Sequence, residues 1–141
     1  MSDFEEFVYR FDVRPAHIDV FGHMNNAKYL EILEEARWDL LENRGFGLAY
    51  IRESSIGPVV LDAKIQFKKE LKVRDRCEIR TVMLDYSGKI GRIQQKLFLL
   101  DGKLACAAEF TIGLFDLEAR KLIAPSPKWL NAIGIPTNIL K

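Results

Sequence analysis

The hydrophobic pattern of this chain changes period twice, and that change limits the folds it can adopt. Apolar residues alternate with polar ones near the start, take a helical spacing from Ala27 to Asn43, and then alternate again. A single long helix among strands must cover one face of an antiparallel sheet, because both have an apolar face to bury. The order of one strand, one helix and four strands therefore predicts an α+β fold.

The alternating segments predict five strands joined by short connections. They cover approximately residues 7–13, 59–68, 76–85, 90–100 and 104–114. Asp101-Gly102 predicts a two-residue hairpin turn with positive φ between the last two strands. The stretch from Pro125 to Ile135 predicts a short terminal helix that carries Trp129.

The predicted central helix has one apolar face, which is formed by Tyr29, Ile32, Leu33, Ala36 and Leu40. Asn25 and Asn26 are suitable N-cap residues, and Gly45 is a suitable stop. Two residues do not fit a simple amphipathic helix. Arg37 lies near the apolar boundary and must be paired if it is buried. Trp38 projects from the charged side, which predicts that another part of the protein covers it.

Composition limits the functional classes. A length of 141 residues predicts one domain, over residues 1–141, and a net charge of +1 argues against a nucleic-acid partner. No leader or apolar run of membrane-spanning length is visible, so we expect a cytoplasmic protein without membrane insertion. Cys77 and Cys106 form no C-x-x-C pair and are expected to be small buried hydrophobic residues. One helix cannot cover five strands completely, so we expect a homodimer or a dimer of dimers.

The loop before the helix holds the densest set of polar residues. Both histidines, His17 and His23, lie there with Asp19, immediately before the helix start. Free N–H groups at a helix start can polarise a carbonyl and stabilise an oxyanion. A carboxylate beside them can attack that carbonyl or deprotonate a water molecule. These are the groups that ester or thioester hydrolysis requires.

Simpler roles exist for the same residues, and spacing alone favours them. Asp19 is typical of an Asx turn or a helix cap, and Asn25 and Asn26 are more often caps than active-site amides. Histidines in a loop are usually packed or on the surface. The spacing His17-x-Asp19-x-x-x-His23 is only a weak metal motif, because no Cys or Glu cluster supports it. We expect neither a metal nor an organic cofactor.

A resemblance to a known family changes this balance. It is carried by the run Val13-Arg14-x-x-His17-x-Asp19-x-x-x-His23-x-Asn25-Asn26-Ala27-x-Tyr29-Leu30 and by Glu34-Glu35-Ala36-Arg37-Trp38. The run resembles the hot-dog acyl-CoA thioesterases of the 4-hydroxybenzoyl-CoA thioesterase group, and in particular the bacterial long-chain branch. The resemblance implies the hot-dog fold, in which a five-stranded antiparallel sheet wraps around one long central helix. It also implies two active sites at the interface of a dimer whose sheets join edge to edge.

The resemblance assigns roles to individual residues. Asp19 is implied to be the catalytic carboxylate, and the Asn26 backbone N–H is implied to polarise the thioester carbonyl. His17 replaces an Asp that many relatives have, a replacement shared by the long-chain branch, and its supporting role stays open. His23 is expected to orient the loop or to contact substrate. The expected substrate contacts are Asn25, Tyr29, Lys68, Lys69, Ser87, Gly88, Lys89 and Arg92.

The expected activity is hydrolysis of a medium- to long-chain fatty acyl-CoA to the free acid and CoA. Asp19 acts either as nucleophile or as general base, and the sequence does not separate the two roles. One alternative is a non-catalytic module that binds acyl-CoA or acyl-carrier protein. Another is a hot-dog dehydratase that uses the His17 and Asp19 pair.

Overall fold

The protein folds as an antiparallel sheet packed on one long helix. The computed structural model describes residues 4–137. In chain order the elements are β1 (Glu6–Asp12), α1 (Asn26–Asn43), α2 (Leu48–Ser54), β2 (Ile56–Phe67), β3 (Arg76–Ser87), β4 (Ile90–Leu99), β5 (Leu104–Asp116), β6 (Lys121–Ile123) and α3 (Pro127–Ala132). The strand order is β1-β3-β4-β5-β2, with β6 on β5, and every pairing is antiparallel. The predicted α+β class and its five long strands are confirmed.

Helix α1 packs against the sheet through the face that its sequence predicts. All five residues of that face are buried, from 0% exposure at Leu33 to 5% at Leu40. The Asn25 side chain caps the start by accepting the Ala27 N–H at 2.8 Å. The helix ends in a Schellman motif, with Gly45 at φ +78° and the Phe46 N–H donating to the Leu41 carbonyl at 2.9 Å.

Two local predictions differ from the structure. The turn between β4 and β5 is not a two-residue turn, because four residues separate the strands and only Gly102 has positive φ, at +96°. The Gly102 N–H donates to the Leu99 carbonyl at 2.9 Å, which closes a β-turn over residues 99–102, and the Asp101 side chain accepts the Lys103 N–H at 2.9 Å. The short strand β6 was not predicted; it pairs with the last three residues of β5, beyond the end of the β4 pairing.

Strand β2 forms one edge of the sheet, and apolar side chains on it are open to solvent. Val60, Leu61 and Phe67 are 44%, 47% and 46% exposed. A β-bulge between Val60 and Asp62 interrupts the alternation that the sequence predicts there. The opposite edge is β1. An apolar edge strand is a surface that another strand can cover.

The two cysteines are confirmed as buried residues. Cys77 and Cys106 are free thiols with 1% and 0% exposure. Burial raises the pKa of both thiols to about 12, so they are inert at neutral pH. Within residues 4–137, no helix is long and apolar enough to cross a membrane.

Candidate active site

The loop between β1 and α1 is held closed by its own backbone. Ile18 and Met24 form an antiparallel bridge, and the Asp19 N–H donates to the His23 carbonyl at 3.1 Å. The chain turns at Gly22, where φ is +85°. The tip of the loop carries Val20 and Phe21, which are 95% and 79% exposed. Asp19 therefore sits in a fixed loop whose apolar tip faces outward.

The Asp19 carboxylate is half-buried, and only part of its hydrogen-bonding capacity is used within the protein. Its Oδ1 accepts the Phe21 N–H at 2.9 Å, which is the Asx turn that spacing alone favours. Its Oδ2 has a long contact of 3.4 Å with Asn25 Nδ2. A carboxylate oxygen has about two lone-pair sites, so Oδ2 keeps the capacity to meet a substrate or a water molecule. The turn and a chemical role are compatible, because they use different oxygens.

The start of α1 presents one free N–H group. Asn25 satisfies two of the helix-start donors, since its Oδ1 accepts the Ala27 N–H and its carbonyl accepts the Lys28 N–H at 2.9 Å. The N–H of Asn26 has no acceptor among residues 4–137, and the residue is exposed. The helix dipole places partial positive charge at this end. A carbonyl oxygen brought here would meet an unoccupied donor.

His17 lies beneath this loop and is buried. Its Nδ1 accepts the Arg14 N–H at 3.0 Å, and its carbonyl accepts the Asn25 N–H at 2.9 Å. Burial, assisted by the nearby Arg14 charge, lowers the pKa of His17 from its ordinary value of 6.5. The ring therefore holds the start of the loop at Arg14, and the backbone carbonyl of His17 joins the loop to Asn25, the residue that caps α1.

A cleft of about 230 Å³ opens beside the helix start. It brings together five residues of the predicted site, namely His23, Asn26, Tyr29, Lys68 and Lys69. Three further wall residues, Met24, Phe67 and Glu70, were not among the predicted site residues. Glu70 lies 3.8 Å from His23 Nε2, and Phe67 packs edge-on against the Tyr29 ring at 5.0 Å. The charged run Lys68-Lys69-Glu70 was the feature of the sequence that could have indicated Glu70, but it did not show which of these side chains face the cleft.

The other predicted CoA contacts lie elsewhere in the same chain. The Asp19 loop joins the sheet where Asp12 pairs with Arg76, at the first residue of β3, whereas Ser87 ends that strand. Gly88 and Lys89 form the following turn. Arg92 is engaged by Asp85 at 3.0 Å and by Glu109 at 3.5 Å. Within one chain, the length of β3 separates Ser87, Gly88, Lys89 and Arg92 from Asp19.

A second polar cluster lies in the middle of α1. Arg37 is mostly buried, and its Nη1 donates to Gln95 Oε1 at 2.8 Å. Gln95 is completely buried and donates to Thr81 Oγ1 and to the Leu33 carbonyl at 3.0 and 3.1 Å. The prediction that a buried Arg37 is paired is confirmed, but its partner was not predicted. Among the described residues, no group of three or more His, Cys, Asp or Glu is placed to hold a metal ion.

Comparison with known proteins identifies relatives of this arrangement. The family model of the thioesterase-like superfamily matches residues 13–133. The long-chain acyl-CoA thioesterase FadM of Escherichia coli is 35% identical over 113 residues, which are 79% of this chain and 85% of that protein.

Solved structures agree with this match. The probable thioesterase YbaW from Escherichia coli is 32% identical with a TM-score of 0.78, over 89% of this chain and 94% of that one. The protein SAV2348 from Staphylococcus aureus, solved in complex with CoA, has a TM-score of 0.86 over 97% of this chain and 90% of its own. Its identity of 20% supports the hot-dog fold alone.

Proposed function

This chain belongs to the thioesterase-like superfamily, and we propose that it hydrolyses medium- to long-chain fatty acyl-CoA with Asp19 as the catalytic carboxylate. Its similarity to these relatives identifies it as an acyl-CoA thioesterase. Beyond this activity, we propose the acyl class of the substrate and the residues that carry out the catalysis. The observation that carries it is the free Asn26 N–H at the start of α1, beside a carboxylate with one available oxygen.

The Asn26 N–H is the proposed oxyanion donor. A thioester carbonyl placed at the helix start accepts this N–H, and the α1 dipole adds to the polarisation. As the carbonyl carbon is attacked, negative charge develops on its oxygen and strengthens that hydrogen bond. Because Asn25 already satisfies its neighbours, the donor is fixed in place before substrate arrives.

Asp19 can complete the reaction by either of two routes. As nucleophile, Oδ2 bonds to the carbonyl carbon, the C–S bond breaks, and the CoA thiolate leaves and takes up a proton. Water then hydrolyses the resulting mixed anhydride and regenerates Asp19. As general base, Asp19 accepts a proton from the attacking water and passes it to the thiolate. A single turnover in isotopically labelled water tests for the nucleophilic route: water that opens the anhydride at the Asp19 carbonyl leaves the label in Asp19, whereas the general-base route places it only in the released acid.

The remaining site residues bind the substrate or hold other residues of the site in place. We assign His17 a positioning role, because it is buried and its Nδ1 is occupied. His23 and Tyr29 line the cleft as substrate contacts, and Asn25 orients Asp19 while it caps α1. Lys68 and Lys69 are exposed cations on the same cleft, which suits the phosphates of CoA.

We propose that two copies join through the β2 edges. Two-fold pairing of antiparallel β2 strands sets the Phe67 end of one copy beside the Ile56 end of the other. In each copy the turn at Ser87-Gly88-Lys89, with Arg92 beyond it, lies at the Ile56 end of the sheet. These residues would then approach the partner's cleft, which accounts for their distance from Asp19 within one chain.

Sedimentation velocity tests this assembly. We expect a dimer or dimer of dimers for the wild type and for Val8→Lys, which places a charge on the exposed β1 edge. We expect dissociation for Leu61→Lys, because a charge on the β2 edge opposes strand pairing. A monomeric wild type, or dissociation by Val8→Lys alone, would contradict the arrangement.

Thiol release from a panel of acyl-CoAs tests the catalytic assignment. We expect the highest kcat/KM for medium- to long-chain substrates. Asp19→Asn should lower kcat about 1,000-fold, while its side-chain oxygen still accepts the Phe21 N–H and keeps the loop intact. Asp12→Asn, an exposed carboxylate at the end of β1, serves as the matched control. Comparable release by Asp19→Asn and the wild type would remove Asp19 from its role.

A further inference from the structure

Three loops meet at one end of the sheet and form a single surface, which we call the end face. They are residues 13–25, 68–75 and 100–103, with Arg76 at the start of β3 between them. The Arg74 N–H donates to the Val13 carbonyl at 2.8 Å, and the Leu100 N–H donates to the Arg76 carbonyl at 3.1 Å. These backbone bonds hold the three loops in one fixed arrangement.

The end face exposes apolar side chains at its turns. Val73 and Leu100 are 44% and 51% exposed, and the tip of the first loop adds Val20 and Phe21. Each of them lies in a four-residue turn, 19–22, 72–75 or 99–102, that a backbone hydrogen bond closes. Apolar residues gathered in one place, rather than scattered singly, mark a surface that binds a partner.

The same surface is basic. Residues 68–76 contain five cations and two carboxylates, a net charge of +3, whereas the whole chain has a net charge of +1. Lys72, Arg74 and Arg76 are exposed, and within residues 4–137 none of them forms an ion pair within 4.0 Å. Free cations beside exposed apolar groups favour a partner that is both anionic and apolar.

An anionic lipid bilayer has both properties. Its head groups carry negative charge, and an apolar layer begins a few ångströms deeper. Side chains that project from turns can enter such a layer without a matching pocket, which a protein partner would have to supply. We propose that the end face docks on anionic phospholipid bilayers, with Val73 and Leu100 in the interface and the three free cations against the phosphates. The attachment is peripheral and does not depend on the proposed reaction.

The end face stays accessible in the two-fold assembly proposed above. The strand order places β3 three strand spacings, about 14 Å, from the β2 edge. Pairing of the β2 edges therefore leaves the start of β3 and the adjoining turn at Val73 uncovered. Because the paired β2 strands run antiparallel, the two end faces of a dimer point in opposite directions, and one face binds a given bilayer.

Co-sedimentation with lipid vesicles tests the proposal. The probes are vesicles of phosphatidylglycerol and phosphatidylcholine in equal parts, and vesicles of phosphatidylcholine alone. We expect at least tenfold stronger binding to the anionic vesicles, and at least a tenfold loss of that binding in about 0.5 M NaCl, because salt screens the attraction. No binding to the anionic vesicles, or equal binding to both kinds, would overturn the proposal.

Charge variants locate the surface. Each Lys or Arg beside an anionic bilayer strengthens binding about fivefold. Lys72→Gln/Arg74→Asn/Arg76→Gln should therefore weaken binding to anionic vesicles at least tenfold, and Asn tolerates the φ of +74° at position 74. The matched control, Arg52→Gln/Arg120→Asn/Lys121→Gln, removes three exposed cations at the Ile56 end of the sheet, one of them also at positive φ. It should bind within about threefold of the wild type, because that end lies beyond a Debye length. Equal losses for the two variants would overturn the proposal.

Apolar variants separate a bilayer from a soluble acidic partner, and they decide the location if the charge variant does not fold. Val73→Ser/Leu100→Ser should weaken vesicle binding at least fivefold, whereas Leu48→Ser/Leu117→Ser, at the opposite end and 49% and 39% exposed, should bind like the wild type. Dependence on the cations alone would indicate a soluble acidic partner and would contradict docking on lipid. Asp19→Asn should bind vesicles normally, so failure here and failure of the catalytic assignment are distinguishable.

Discussion

The start and the middle of α1 both carry polar groups, but only those in the middle have their hydrogen bonds satisfied within the protein. At the start, Asn26 keeps a free N–H beside an open cleft, and Asp19, in the loop that precedes the helix, keeps an oxygen with only one long hydrogen bond. In the middle, Gln95 uses both its amide groups in hydrogen bonds and has no exposure. The start of α1 is thus available to interact with a substrate, whereas its middle is hydrogen-bonded to the sheet.

The difference follows from water. A donor near solvent can remain without a protein partner at little cost, because water satisfies it until substrate arrives. A buried donor or acceptor without a partner costs about 1–3 kcal/mol, and more beside a charge. The buried cluster therefore has to be complete at Gln95, whereas the helix start does not.

The largest expected effect that tests this contrast is a loss of stability. Gln95→Met removes the acceptor of Arg37 and the donor to Thr81 at nearly constant volume. We expect a loss of about 3 kcal/mol in the free energy of unfolding, because a mostly buried cation loses its partner. Urea titration measures this loss. Thiol release below the unfolding range should stay within about threefold of the wild type, since the cluster is remote from Asp19.

Gln94→Met is the matched control for this change. Gln94 is the preceding residue on β4, points to the other face of the sheet and is only partly buried. Its substitution should alter stability by less than about 0.5 kcal/mol. Equal losses for the two variants would mean that the hydrogen bonds of Gln95 contribute nothing beyond any other strand position.

A smaller effect concerns pH. The folded-state pKa of His17 lies below 6.5, so the unfolded chain binds this proton at higher pH than the folded chain. Stability should therefore fall as the pH drops through 6.5 and stop falling below the folded-state pKa, with a slope of at most about 1.4 kcal/mol per pH unit.

His17→Asn tests that assignment, because its side-chain oxygen can accept the Arg14 N–H but does not titrate. Urea unfolding between pH 5 and 8 should give a flatter profile for this variant than for the wild type. Parallel profiles would show that His17 is not the source of the pH dependence.

The sequence predicted the parts of the fold that depend on local periodicity. Alternation located the five long strands, and helical spacing located the buried face of α1, down to Leu33 and Leu40. The prediction of a two-residue turn at Asp101-Gly102 was wrong because the backbone turn closes over residues 99–102, where the Gly102 N–H donates to the Leu99 carbonyl. Gln95 was not predicted as the partner of Arg37, because the two are 58 positions apart and only the three-dimensional register joins them.

The candidate site was predictable to a similar degree. The residues next to the helix start share one cleft, because α1 and the end of β2 meet there. The placement of Glu70 against His23 depends on how the chain leaves β2, and no pattern in the sequence specified it. Val20 and Phe21 also gave no signal, since exposed apolar residues at a loop tip follow neither period.

The central claim is that the Asn26 N–H polarises the carbonyl, and proline at this position tests it most directly. Proline is tolerated at the first helical residue, and Asn25 already has the extended conformation that precedes proline, with φ −67° and ψ 142°. Asn26→Pro thus removes the donor while preserving the helix, and Asn26→Ala removes only the side chain. We predict that kcat for thiol release falls about 100-fold or more for Asn26→Pro and stays near the wild-type value for Asn26→Ala. Equal kcat values for the two folded variants would contradict the account.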